Sequence, residues 1–297
     1  MADLSSRVKL VLTGSDRVRY LNGQVTSNVQ KLAAGQTQPA CITTAKGRLC
    51  AEVTITATGS ALFVDADASL LESLPPRLER YIIADDVTLQ ECPAGTRLFH
   101  FLGERPSWLG TADSDDLPGL CGATRFGHPG WDWWASAEEA AKRRADIESH
   151  VALLDETLSE LLRIEAGVPR WGYELTEDTL PPEAGLDRTH IDYHKGCYIG
   201  QEVISRLKSV GHVNRQLTGF VSTTGAPLFP GSALIESEAD GRVAGVLTSV
   251  AHSFALEKPI ALGYLKRGSS TGGLLARPAE APGADTSVSV CALPFLP

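Results

Sequence analysis

No apolar run in this sequence of 297 residues approaches the roughly eighteen residues of a membrane-spanning helix. The N-terminus, "MADLSSRVKLVLTGSDR", has no stretch suited to a signal peptide, and Asp3 argues against a transit peptide. No C-x-x-C pair occurs. The six cysteines stand apart at 41, 50, 92, 121, 197 and 291, which offers no disulfide framework and suits a reduced, cytoplasmic protein. A surplus of positive charge is lacking too: Lys plus Arg is 27 against 36 for Asp plus Glu, a net charge of −9. Such a chain has no general electrostatic footprint for direct nucleic-acid binding or for an anionic membrane.

What is present is ordinary for a globular chain, with 43% apolar and 21% charged residues. The length supports two or three structural units. Residues 7–13, "RVKLVLT", alternate as a strand does, and "GSDRVRYLNG" offers Ser15 as the N-cap of a short helix stopped by Gly23. Residues 39–67 read as a β-meander with turns at "AKG" and "TGS". A helix interrupted near Pro75-Pro76 and a strand at 86–91 follow, which together indicate an α+β fold. "GWDWW" at 130–134 reads as a half-buried strand whose indoles cover core. A helical pattern then runs from 136 to about 166, opened by the capping-box spacing of Ser136 and Glu139 and ended by Gly167 and Pro169. After about 216 the texture changes to short alternating strands between Gly and Pro turns, the pattern of a small antiparallel barrel or sandwich, with a domain boundary near 213. The expected domains are therefore 1–212, with a further split near 95–135, and 213–297.

The stretch with chemical content is "KGCYIGQEVISRLKSVGHVNR" at 195–215. Val203, Ile204, Leu207 and Val210 fall on one face of a helix beginning near Ile199 or Gly200. Cys197 then lies just ahead of the helix N-terminus, where the dipole and Lys195 would both favour a thiolate. Gly196 and Gly200 equally permit a tight turn in which Cys197 simply fills space. Lys195, Arg206, Lys208 and Arg215 stand against Glu202 alone, a locally basic segment suited to a ligand carboxylate or phosphate. His190, His194 and His212 are near in sequence, but their spacing from Cys197 is not that of a compact metal site, so no protein-borne metal centre is expected. Upstream, Glu165 ends an apolar helical run, where it either points to water or accepts hydrogen bonds from the N–H groups of a flat heterocycle; the helix dipole disfavours a carboxylate at that end. Trp171 and Tyr173 offer stacking surface.

These blocks resemble the YgfZ family, folate-binding relatives of the glycine-cleavage aminomethyltransferase (T-protein). "KGCYIGQE" at 195–202 is similar to that family's signature nearly letter for letter: Lys195, Gly196, Cys197, Tyr198, Gly200, Gln201 and Glu202. "DRVRYLNGQVTSNV" at 16–29, "AKGRL" at 45–49, "RIEAGVPRWGYEL" at 163–175, "PPEAGLD" at 181–187 and "GVLTSVAHSFALEKPIALGYL" at 245–265 extend the likeness over almost the whole chain. The resemblance implies an aminomethyltransferase-like folate-binding unit, a C-terminal antiparallel β-barrel, and tetrahydrofolate or a derivative as cofactor. It implies that Glu165 holds the pterin ring and that Lys195 and Cys197 are signature residues of the YgfZ branch; on the leading expectation Lys195 and Arg206 meet anionic groups and Cys197 is the functional thiol. It also implies iron–sulfur proteins or their assembly machinery, including tRNA-modifying enzymes, as partners.

The sequence departs from the aminomethyltransferases where they carry a catalytic Asp. The matching stretch reads "KGRLCAE", which puts Ala51 there beside Glu52. Loss of that carboxylate removes electrostatic and general-base help worth on the order of 10²–10⁴ in rate. Asn28 stands where many relatives have Asp, and either residue caps a helix. An accessory protein for iron–sulfur enzymes is thus the leading expectation. A folate-dependent one-carbon transferase is the alternative, and a scaffold that binds no folate is the third.

Overall fold

The computed structural model describes residues 1–109, 116–237, 241–280 and 284–296. The chain divides into two compact units: Met1–Asp155 with Asp187–Ser205, and Glu156–Leu186 with Arg206–Pro297. Residues 156–186 therefore group with the strands beyond 213, whereas a linear division at 212/213 would leave them with the first half of the chain. The motif 195–202 returns to the first unit.

The first unit holds two antiparallel sheets. One has five strands, ordered β3-β4-β5-β2-β6, from β2 (Val8–Thr13), β3 (Thr37–Thr43), β4 (Leu49–Ala57), β5 (Leu62–Ala66) and β6 (Thr88–Glu91). The other is ordered β1-β7-β9-β8, from β1 (Ala2–Asp3), β7 (Arg97–Leu102), β8 (Leu120–Arg125) and β9 (His128–Ala135). The expected meander at 39–67 is β3, β4 and β5, paired in sequence order. The tryptophan-rich strand is β9, and its alternation serves two cores. Trp133 packs with Phe101, Leu109 and Ile147, whereas Trp134 packs with Phe63 and Leu98. Both indoles are fully buried, more so than the half-buried expectation, because each face of β9 is covered.

Several local expectations need correction. Helix α1 (Arg17–Gln24) has Asp16 at its N-cap, not Ser15: Ser15 Oγ donates to the Asp86 carboxylate, 2.7 Å from Oδ2, and the Asp16 carboxylate accepts from the Asp86 N–H at 2.9 Å instead of capping the helix. Gly23 lies inside α1 and does not stop it. Pro75 and Pro76 open helix α2 (Leu74–Glu79), where the missing N–H groups cost nothing, and so do not interrupt it. The run 136–166 is two helices, α3 (Ala137–His150) and α4 (Glu156–Glu165). The capping spacing holds, with the Glu139 N–H donating to Ser136 Oγ at 3.1 Å.

The second unit is built on a closed antiparallel barrel ordered β10-β13-β12-β11-β14-β15, from β10 (Arg215–Ser222), β11 (Ala233–Glu236), β12 (Val243–Ser253), β13 (Lys258–Lys266), β14 (Leu274–Arg277) and β15 (Thr286–Cys291). Closure leaves no strand edge for another chain to pair with. Phe220, Leu234, Leu247 and Leu274 fill the interior. Ile164 of α4 packs outside, against Leu217, Ile260 and Leu262. No helix among the described residues is long and apolar enough to cross a membrane.

Candidate functional site

The segment 190–200 is laid along the end of α1 and the turn that follows it. Thr26 Oγ1 donates to the His190 carbonyl at 2.6 Å, and the Asp192 N–H donates to the Thr26 carbonyl at 3.0 Å. Lys195 Nζ donates to the carbonyls of Asn22, Val25 and Ser27 at 2.6, 2.7 and 2.7 Å. The Ile199 N–H donates to the Gly23 carbonyl at 3.3 Å, and the Ile199 carbonyl accepts from Thr43 Oγ1 at 2.6 Å. Helix α1 has no basic residue in its last turn and an extended C-cap, so its terminal carbonyls are open to these donors. The loop supplies the helix cap from 170 residues away in sequence.

Between the anchors at 195 and 199 stand three residues. Cys197 is exposed, while Tyr198 turns inward, 7% exposed. Gly200 closes the arch at φ +90°, and a Cβ there would lie 2.5 Å from the Thr44 carbonyl oxygen. That position needs glycine. Gly196 has nothing within 4 Å of a built Cβ and no positive φ. Helix α5 (Gln201–Ser209) starts immediately after, close to where the periodicity put it. Its apolar face is shorter than expected, since Val210 lies beyond the helix and is 81% exposed. Gln201 is half-buried and Glu202 exposed.

Lys195 is a correction to the sequence reading. Its side chain is only 7% exposed, and all three ammonium hydrogens have carbonyl partners. Burial lowers its pKa to about 8, with Asp192 opposing. It therefore has no donor left for an anionic ligand, and its charge is spent on the backbone beneath the arch. Arg206 is exposed.

Glu52, one place past Ala51, approaches His190 with Oε1 3.3 Å from Nε2. The other ring nitrogen of His190 meets Thr189 Oγ1 at 2.7 Å. Burial pushes the Glu52 carboxyl up, but the bond to His190 and the charges of Arg7 and Arg125 outweigh it and hold the group below its ordinary value. Among the described residues, no group of three or more His, Cys, Asp or Glu side chains stands ready to hold a metal ion.

The other expected residues, Glu165, Trp171, Tyr173 and Arg206, fall in the second unit. Glu165, the last residue of α4, accepts from Ser253 Oγ at 2.5 Å through Oε1, and its carbonyl accepts from the Phe295 N–H at 2.8 Å. Its Oε2 has no hydrogen bond among the described residues. Trp171 is half-buried and Tyr173 is 49% exposed, with the Arg170 guanidinium 5.0 Å above its ring. Beneath them lies a network that sequence reasoning missed. Arg163 donates to Glu174 Oε2 at 3.2 Å and to Ser249 Oγ at 2.7 Å, and Thr248 and Ser249 donate to Glu174 Oε1 at 2.6 and 2.5 Å.

Residues 215–296 match the family described as the glycine cleavage T-protein C-terminal barrel domain. A chloroplastic protein of Arabidopsis thaliana is 27% identical over 100% of this chain and 71% of its own length. The tRNA-modifying protein YgfZ of Yersinia pseudotuberculosis is 27% identical over 70% of this chain and 66% of its own. An aminomethyltransferase of Synechocystis is 27% identical over 89% of this chain and 77% of its own. The crystal structure of the glycine cleavage system aminomethyltransferase T from Bartonella henselae superposes with a TM-score of 0.84 over 99% of this chain and 85% of that one, at 19% identity, a likeness of fold. Residues 215–296 thus carry the glycine cleavage T-protein C-terminal barrel domain, and the chain as a whole is similar to YgfZ proteins and to aminomethyltransferases, sharing the fold of the latter.

Proposed function

We propose that this protein is a tetrahydrofolate-binding accessory factor that supports assembly or repair of iron–sulfur enzymes, tRNA-modifying ones among them, with Cys197 as its working thiol. The observation that carries this reading is the arch 196–198: a thiol held out to solvent between two anchors on one helix end, while its neighbour Tyr198 is buried. A cysteine that only filled space would face inward, as Cys41 and Cys121 do. The test is rescue of an iron–sulfur enzyme defect in cells lacking the protein. Cys197→Ser is expected to fold and to fail in rescue, and full rescue by that variant overturns the role of the thiol.

The second unit supports the folate part. Glu165 keeps one carboxylate oxygen for the N–H edge of a pterin, Tyr173 and Trp171 offer ring surface, and exposed Arg206 suits a carboxylate tail. Bound folate would supply a one-carbon carrier. The residues here would bind and orient it. Anaerobic calorimetry with tetrahydrofolate is expected to give micromolar-range binding that Glu165→Ala weakens, and no binding by the wild type overturns this part.

The likeness to the Synechocystis aminomethyltransferase favours a second reading, a folate-dependent one-carbon transferase. Against it, Ala51 offers no carboxylate and Glu52 is engaged by His190. Steady formation of methylene-tetrahydrofolate from an amine donor would reverse the order of the two.

A further inference from the structure

The carbonyl oxygens of Asn22, Val25 and Ser27 converge within 2.7 Å of a single point, and the group at that point is the Lys195 ammonium. Three inward-facing carbonyls make a donor set suited to a monovalent cation. One of them, from Asn22, belongs to the last turn of α1, where the helix dipole adds negative potential. An apolar or neutral side chain would leave at least one buried carbonyl unpaired, so the backbone here requires a positive charge with three donors or an equivalent ion.

We propose that residues 22–27 form a monovalent-cation site that the chain fills with its own lysine, and that Lys195 is a positioning residue for the arch bearing Cys197. Lys195 and Ile199 hold the same helix end, through Asn22 and Gly23, and the arch spans the gap between them. Emptying the cage frees one foot of the arch, and a cation that re-enters it should restore that foot without any covalent link to Cys197. The proposal extends the reading of Cys197 given above, but its readouts do not depend on that reading.

The experiment uses the full chain with Lys195→Ala, in chloride salts of ammonium, potassium or tetramethylammonium at equal ionic strength. Hydrogen exchange at Ile199 and the rate at which iodoacetamide alkylates Cys197, resolved by mass spectrometry, are followed in each. In tetramethylammonium, which is too large and has no donor, the variant is expected to exchange at Ile199 roughly tenfold faster than the wild type or more. Ammonium and potassium are expected to return both rates toward those of the wild type, which itself does not respond to the choice of cation. Identical behaviour of the variant in all three salts overturns the proposal, as does a variant indistinguishable from the wild type in tetramethylammonium. Folding only in ammonium or potassium supports it. If the variant folds in none of them, ¹⁵N spectra of the wild type decide: a protonated Lys195 Nζ with slowly exchanging hydrogens supports the cage, and a freely exchanging amine overturns it. A loss of rescue by Cys197→Ser would leave all these outcomes where they stand, so the two proposals fail separately.

Discussion

The ammonium of Lys195 caps the helix that ends at Gln24, its Nζ 2.6 Å from the carbonyl oxygen of Asn22. A residue that sequence spacing assigns to the neighbourhood of a thiol is in fact part of the scaffold beneath it. Replacement by methionine keeps the length and removes the charge, which leaves three buried carbonyls without donors. Lys195→Met is expected to cost about 2–4 kcal/mol of stability in urea denaturation, since each orphaned polar group costs roughly 1–3 kcal/mol and water will reach some of them.

The two glycines of the motif should behave differently. Gly200 stands at φ +90° against the Thr44 carbonyl, whereas Gly196 has open space around it. Gly200→Ala is expected to lower stability by roughly 1–3 kcal/mol or to displace the 199–200 backbone, and Gly196→Ala to change stability by less than about 1 kcal/mol. Urea midpoints of the two variants, measured side by side, check this contrast.

Local pattern made much of the scaffold legible. The period-two alternation of 39–67 and of 130–134 gave strands, and the Gly and Pro turns after 213 gave barrel strands, because those signals depend on nearest neighbours. What escaped were relations across long sequence separations. Ser15 reads as a helix cap until Asp86, 71 residues on, claims its hydroxyl. Lys195 reads as a free cation until Asn22, Val25 and Ser27, 168 to 173 residues back, present their carbonyls. The thiol at Cys197 was visible as a residue type, but its outward presentation follows from the two anchors, which no periodicity encodes.

A buried cluster in the first unit sets an acid limit. Arg125 donates to Asp132 Oδ2 at 2.7 Å and to Asp65 Oδ2 at 2.8 Å, and His100 Nδ1 lies 2.8 Å from Asp132 Oδ1. Burial opposes ionisation of Asp132, but the Arg125 charge and the His100 bond outweigh it and hold the carboxyl below its ordinary value. A depressed carboxyl contributes stability above its unfolded pKa and loses it as pH falls through the folded one. Stability should therefore decline as the pH drops below about 4. Asp132→Asn should flatten that limb while lowering stability at pH 7 by about 1–3 kcal/mol, because Arg125 loses one of two carboxylate partners and keeps Asp65. Urea titrations from pH 3 to 8 report both effects.

In the second unit the Arg163–Glu174 pair ties helix α4 to strand β12 through Ser249 and Thr248. Removing Arg163 leaves the Glu174 carboxylate buried without a cation, whereas removing Glu174 leaves Arg163 its ion pair with Glu160. Arg163→Met is expected to cost about 3–5 kcal/mol, and the double change Arg163→Met with Glu174→Leu to cost less than the sum of the single ones. Thermal unfolding of the four proteins of that cycle measures the coupling.

Thiol chemistry on the native protein should be dominated by one residue. Burial pushes the thiols of Cys92 and Cys121 up to about 12 and about 11, and that of Cys41 well above its ordinary value. A thiol that stays protonated and covered reacts slowly, because the thiolate is the nucleophile and a reagent must reach it. Cys50 and Cys291 are partly covered, while Cys197 is open to solvent. Iodoacetamide at pH 8 is therefore expected to label Cys197 before the other five cysteines, with Cys41 and Cys121 modified only as the protein unfolds. Site-resolved mass spectrometry over a time course checks the order. Early labelling of Cys41 would mean that the first unit opens readily around the Thr26 anchor, and the rigidity ascribed to the arch would be lost with it.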